Sequence, residues 1–146
     1  GRLRRKISLY NKEIFMIEIR TSDYDKVLDS NYFTGIATYE YANTNLFPLI
    51  NRFDYQRKLQ DEKFYERLRK DIVDGCIMPS ITIAFVTNET NIDDYAKYIN
   101  DNITNAYILD GIQRLNALKT ASEDTRFPSE NSLYINIIIS KSQDKL

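Results

Sequence analysis

Histidine is absent from this 146-residue chain. That excludes His-based triads, imidazole general bases and the commonest transition-metal ligand. Cys76 is the single cysteine, so an intramolecular disulfide and a Cys-based zinc site are excluded as well. Apolar runs are short, the longest centring on Ile137–Ile139. A helix that crosses a bilayer needs roughly 20 such residues, which excludes a transmembrane helical protein. Neither sign of charge dominates: 20 Lys and Arg face 21 Asp and Glu, for a net charge of −1. A polycationic tail is thereby excluded, and nucleic-acid contact is confined to local basic patches. Chemistry in such a chain falls to carboxylates, Lys and Arg, hydroxyls and backbone groups. The basic start, Arg2, Arg4, Arg5 and Lys6, lacks the apolar stretch of a secretory signal, and a cytoplasmic location is expected.

Hydrophobic residues make up 42% of the chain and charged residues 28%, the balance of an ordinary folded domain. A chain of this length buries about two-thirds of its unfolded surface, enough for one core without disulfides. One domain over 1–146 is expected, as the N-terminal part of a longer protein. Glycine and proline are scarce, so each one punctuates the chain. Ile14–Ile19 and Ile36–Tyr41 read as strands, with a short helical turn over Asp23–Leu28. Asp61–Asp74 reads as an amphipathic helix: Asp61 caps it, Phe64, Leu68 and Ile72 recur at helical spacing, and Gly75 follows where a C′ residue belongs. Ser80–Val86, Ala106–Leu109 and Leu133–Ile139 read as further strands. Residues 88–105 form a polar insertion with one short helix, and another helix runs from Gly111 to about Ser122. The interleaved order predicts an α+β (mixed α/β) domain.

The informative segment is Tyr107-Ile-Leu-Asp-Gly-Ile-Gln-Arg-Leu115. A strand hands over to a helix through Asp110 and Gly111, so the helix's first N–H groups stand at the strand's end, where they suit an anion. On a helical wheel Leu115, Leu118 and Ala121 share one stripe, while Gln113, Asn116 and Thr120 point away. Arg114 falls inside the apolar stripe, in the first turn, where the macrodipole disfavours a cation. Its guanidinium therefore needs negative company. Two readings stand: an internal ion pair with Asp110 four residues earlier, or an anionic ligand, with Asp110 holding hydrated magnesium beside a phosphate.

A second segment, Tyr55-Gln56-Arg57, precedes the helix that ends at Gly75. Together with Leu109-Asp-Gly-Ile-Gln-Arg-Leu115 it resembles the DGQQR/DGQHR branch of the ParB/sulfiredoxin-like superfamily. That branch includes the N-terminal domains of GmrSD-type restriction proteins and the DndB-type regulators of DNA phosphorothioation. The likeness covers about Asn51 to Ile139. Ile112 stands where the family carries Gln, and the Pro and Trp that often flank Tyr-Gln-Arg are missing. The resemblance implies a compact mixed sheet flanked by helices, with a pocket at the strand-to-helix joint that binds a nucleotide or DNA phosphate.

On that basis Gly111, Gln113, Arg114, Arg57 and Gln56 are the expected phosphate-binding residues. Asp110 and Arg114 are the expected catalytic pair, with Asp110 as Mg2+ holder or general base. Two arginines converging on one anion select for phosphoryl groups through charge-assisted, bidentate contacts. The expected function is nucleotide or DNA-phosphate binding within a DNA-processing protein of anti-phage restriction, with NTP-dependent nuclease activity in the full-length protein. The alternative is a non-catalytic DNA-binding or regulatory module of the DndB type. Expected partners are DNA, a nucleoside triphosphate and Mg2+, with further domains or a homo-oligomer and no membrane.

Overall fold

The computed structural model describes residues 16–52, 62–142 and Leu146. Among them, five strands form one mixed sheet in the order β1-β2-β5-β3-β4, where β1 is Glu18–Asp25, β2 Ser30–Thr38, β3 Ile81–Val86, β4 Tyr107–Asp110 and β5 Ser132–Ser140. The fold is mixed α+β. β5 is central, antiparallel to β2 and parallel to β3, while β4 returns antiparallel along β3. The helical elements are a single turn α1 (Tyr39–Tyr41), then α2 (Glu62–Val73), α3 (Tyr95–Asp101) and α4 (Ile112–Ala121). No helix among the described residues is long and apolar enough to cross a membrane.

The period-2 alternation of the strands decides which face is buried. Phe33, Ala37, Ile81, Ile83, Phe85, Leu133, Ile135, Ile137 and Ile139 are all buried. α3 meets this face through Tyr95 against Phe33 and Tyr98 against Phe85, at ring-centroid separations of 5.0 and 5.9 Å. α4 begins against Ile81 and buries Leu115, Leu118 and Ala121, the three residues of the expected stripe. Tyr32, Thr34, Ile36, Asn136 and Ile138 on the opposite face are half-exposed, and Tyr134 is exposed.

Several local expectations hold. α2 ends as its sequence requires: Gly75 takes φ +94°, its N–H bonds the Ile72 carbonyl at 3.1 Å, and the Cys76 N–H bonds the Asp71 carbonyl at 2.9 Å. This is the paired closure of a left-handed C-terminus. Burial, then the nearby Asp71 charge, raises the Cys76 thiol pKa, which favours the protonated form. The segment 88–105 carries α3, capped by the Asp94 side chain on the Lys97 N–H at 3.0 Å. Its Ile99 and Ile103 enter the core. Asn100 ties it to the start of the sheet, accepting from the Ile17 N–H at 2.8 Å and donating to the Ile17 carbonyl at 3.0 Å.

Other expectations are corrected. The first ladder starts at Glu18 and runs to Asp25, so Asp23–Asp25 is strand and the helical turn expected over Asp23–Leu28 is a hairpin turn. Cross-strand partners on β2 outweigh the weak strand propensity of Asp23 and Asp25. The Asp25 carboxylate accepts from the Val27 and Leu28 N–H groups at 2.9 and 3.0 Å, which shapes that turn. β2 begins at Ser30 and stops at Thr38, short of the expected Tyr41. There the Thr38 hydroxyl accepts from the Tyr41 N–H and starts α1. The chain continues as a π-helical turn over Ala42–Leu46 and a 3-10 stretch over Phe47–Arg52. Ile14, Phe15 and the expected cap Asp61 lie outside the described residues.

Candidate functional site

β4 delivers the joint at the sheet's edge. Asp110 is its last residue, opposite Thr82, and its side chain is 71% exposed. Gly111 follows with φ +111° and ψ 13°. A Cβ built on Gly111 would lie 2.4 Å from the Ile81 Cγ2 and 2.8 Å from its Cβ. Glycine is thus demanded twice, by a left-handed backbone and by the close approach of helix to strand. The Leu115 N–H opens the helical ladder by bonding the Gly111 carbonyl at 2.9 Å. The first N–H groups of a helix have no intrahelical acceptor, and Gly111 offers them no side-chain oxygen.

Arg114 lies in the first turn with its side chain 23% exposed. Its Nη2 donates to the Ser80 carbonyl at 2.9 Å and to the Asp110 carboxylate at 3.2 Å. The internal ion pair, one of the two readings the sequence allows, therefore forms. It does not satisfy the whole guanidinium, because the buried Nε has no hydrogen-bond partner among the described residues. Asp110 is well solvated, so the pair resembles a surface i,i+4 bridge, worth ~0.2–1 kcal/mol.

The remaining expected residues separate. Gln113 is turned toward α2, where its Oε1 accepts a hydrogen bond from the Tyr65 hydroxyl. Burial raises the Tyr65 pKa, and the nearby Asn116 side chain opposes that shift. Gln56 and Arg57 lie outside the described residues, as does Tyr55. Asp110, Gly111 and Arg114 are brought together. The nearest charged partner of Asp110, the expected magnesium holder, is the Arg114 cation, and among the described residues there is no group of three or more His, Cys, Asp or Glu that could hold a metal ion.

Cavities of about 710, 290 and 230 Å³ do not include the joint. The first lies along α2 and mixes Lys63, Arg67, Arg69, Lys70 and Arg126 with Glu66, Asp71, Asp74 and Asp124, one more cation than anions. Arg126 holds the Asp124 carboxyl below its usual range through a 3.1 Å ion pair. This face is therefore nearly self-neutralised. The site residue that sequence reasoning missed is Ser80, whose carbonyl is 34 positions from Arg114 in the chain. Comparison with known proteins gives no matching family model, no matching curated protein and no matching solved structure.

Proposed function

We propose that this chain is a nucleotide- or DNA-phosphate-binding domain of a DNA-processing protein, built on a ParB/sulfiredoxin-like scaffold, with the phosphate seated at the β4–α4 joint. The observation that carries this reading is the incomplete satisfaction of Arg114. A largely buried guanidinium keeps an Nε that no described residue partners, and its one carboxylate partner among them is solvated, at 3.2 Å. A buried donor without an acceptor costs ~1–3 kcal/mol; the Nε itself is closed to solvent, so a phosphate would meet the exposed edge of the same guanidinium through charge-assisted hydrogen bonds. The first amides of α4 add donors and positive potential on the same side.

Binding is favoured here over catalysis. Asp110, the carboxylate at the joint, is the counter-charge of Arg114. The domain then recognises phosphate in a restriction or regulatory protein, and any turnover of nucleotide or DNA belongs to the longer protein. Isothermal titration with ATP, CTP, GTP and UTP, and with duplex DNA over a salt series, tests this. Arg114→Ala is expected to weaken the preferred ligand roughly 10- to 100-fold, the worth of a charged hydrogen bond. It should also flatten the salt dependence of DNA binding. Equal affinity in Arg114→Ala and the parent rejects the site. Hydrolysis by the domain alone would move the reading to an enzyme.

A further inference from the structure

β5 is the central strand, and Asn136 interrupts its Ile-rich run, Ile135-Asn136-Ile137-Ile138-Ile139. Asparagine is a poor strand residue, and the neighbouring β-branched positions do without amides. Its side chain is engaged at both ends: Oδ1 accepts from the Tyr32 hydroxyl at 3.0 Å, and Nδ2 donates to the Ser80 Oγ at 3.1 Å. Ser80 stands one residue before β3, where the paired register starts at Ile81. Its carbonyl is the acceptor for Arg114 Nη2 at 2.9 Å, and the same Nη2 meets Asp110 at 3.2 Å. A continuous line of contacts thus runs from β2 through Tyr32, Asn136, Ser80 and Arg114 to Asp110 at the sheet's edge.

We propose that Asn136, acting through Ser80, is a positioning residue that sets the Arg114 guanidinium at the joint. This rests on the reading of Arg114 as the phosphate-binding group. Arg114 has several rotatable bonds, and a fixed planar donor loses less freedom when it meets an anion. Fixing the Ser80 side chain fixes the carbonyl against which that plane is set. Asn136 touches no ligand in this scheme; it determines where the cation waits.

The test uses Asn136→Leu, Ser80→Ala and Ser80→Thr, with two readouts. The first is the guanidinium NMR signals of Arg114, assigned by their loss in Arg114→Ala, which need no ligand. Asn136→Leu and Ser80→Ala are expected to shift these signals, while Ser80→Thr, which keeps the hydroxyl, leaves them near their original positions. The second is affinity for pyrophosphate, expected to fall about fivefold in the first two variants, the worth of one neutral hydrogen bond, and to recover in Ser80→Thr. Unmoved Arg114 signals in both Asn136→Leu and Ser80→Ala overturn the positioning role, whatever the affinities. Shifted signals in a protein that binds neither pyrophosphate, nucleotide nor DNA sustain the positioning role and reject the phosphate reading instead. Should Asn136→Leu not fold, Ser80→Ala with its Ser80→Thr counterpart carries the same decision.

Discussion

Replacing Gly111 with alanine perturbs the joint where its geometry is most restrictive. At φ +111° an L-residue is strained, costing ~1–2 kcal/mol. The new methyl would also sit 2.4 Å from Ile81 Cγ2, 2.8 Å from Cβ and 3.3 Å from Cα, so the clash extends from the side chain to the backbone of β3. Ile81 is fully buried and cannot swing aside. Overpacking of that kind adds ~1–3 kcal/mol. The expected total is ~2–5 kcal/mol, a large part of a domain stability of ~5–15 kcal/mol.

Gly75→Ala provides the control. Its φ is +94°, but nothing lies within 4 Å of the added methyl, so the backbone cost stands alone. Urea unfolding of both variants and the parent, with unchanged m-values, measures the difference directly. Gly111→Ala is expected to exceed Gly75→Ala by ~1–3 kcal/mol, the clash contribution. Equal losses would refute the argument that strand-to-helix contact requires this glycine. The functional corollary is that the backbone conformation and the packing against Ile81 together account for Gly111, so its presence says nothing for a ligand.

Tyr41 is 1% exposed and its hydroxyl has no partner among the described residues, so Tyr41→Phe is expected to stabilise the fold by ~1 kcal/mol at neutral pH, measured by thermal or urea unfolding. Burial also raises its pKa above the ordinary value near 10.0. Above that value the unfolded chain releases a proton that the folded chain keeps, so stability present at lower pH is lost as pH rises, and Tyr41→Phe should shallow this alkaline loss. Asn100→Ala removes both bonds to Ile17 and strands its N–H and carbonyl, at an expected cost of ~1–3 kcal/mol. Faster hydrogen exchange at the Ile17 amide is the local check, and an unchanged rate would show that α3 does not anchor the sheet's beginning.

Elements with their own local code are legible in the amino-acid order itself. α2 announces itself through Leu68, Ile72 and a glycine placed for its C-terminus, although Phe64 of the expected stripe is exposed and Tyr65 packs against the core instead; β3 and β5 are apolar runs bounded by turn residues. The stretch from Ser30 to Arg52 is much less so. Asn31 and Gly35 disguise β2, whose strand character comes from partners on both sides, and the helical, π-helical and 3-10 turns after Thr38 follow no simple period. The candidate site divides along the same line. Asp110 and Arg114 are four residues apart, so helix geometry alone predicts their meeting. Ser80 and Asn136 stand 56 positions apart, and Tyr32 and Asn136 are separated by 104.

Sequence alone therefore determined the local matters: where helices and strands can form, that Arg114 must find negative company, and that histidine and disulfide chemistry are closed to this chain. Only the tertiary structure decided the strand order β1-β2-β5-β3-β4, the turning of Gln113 toward Tyr65, and the line of contacts from Tyr32 to Arg114. The reason is physical. Periodicity and capping act over a few residues, whereas register and side-chain pairing across a sheet depend on segments brought together when the apolar faces are buried.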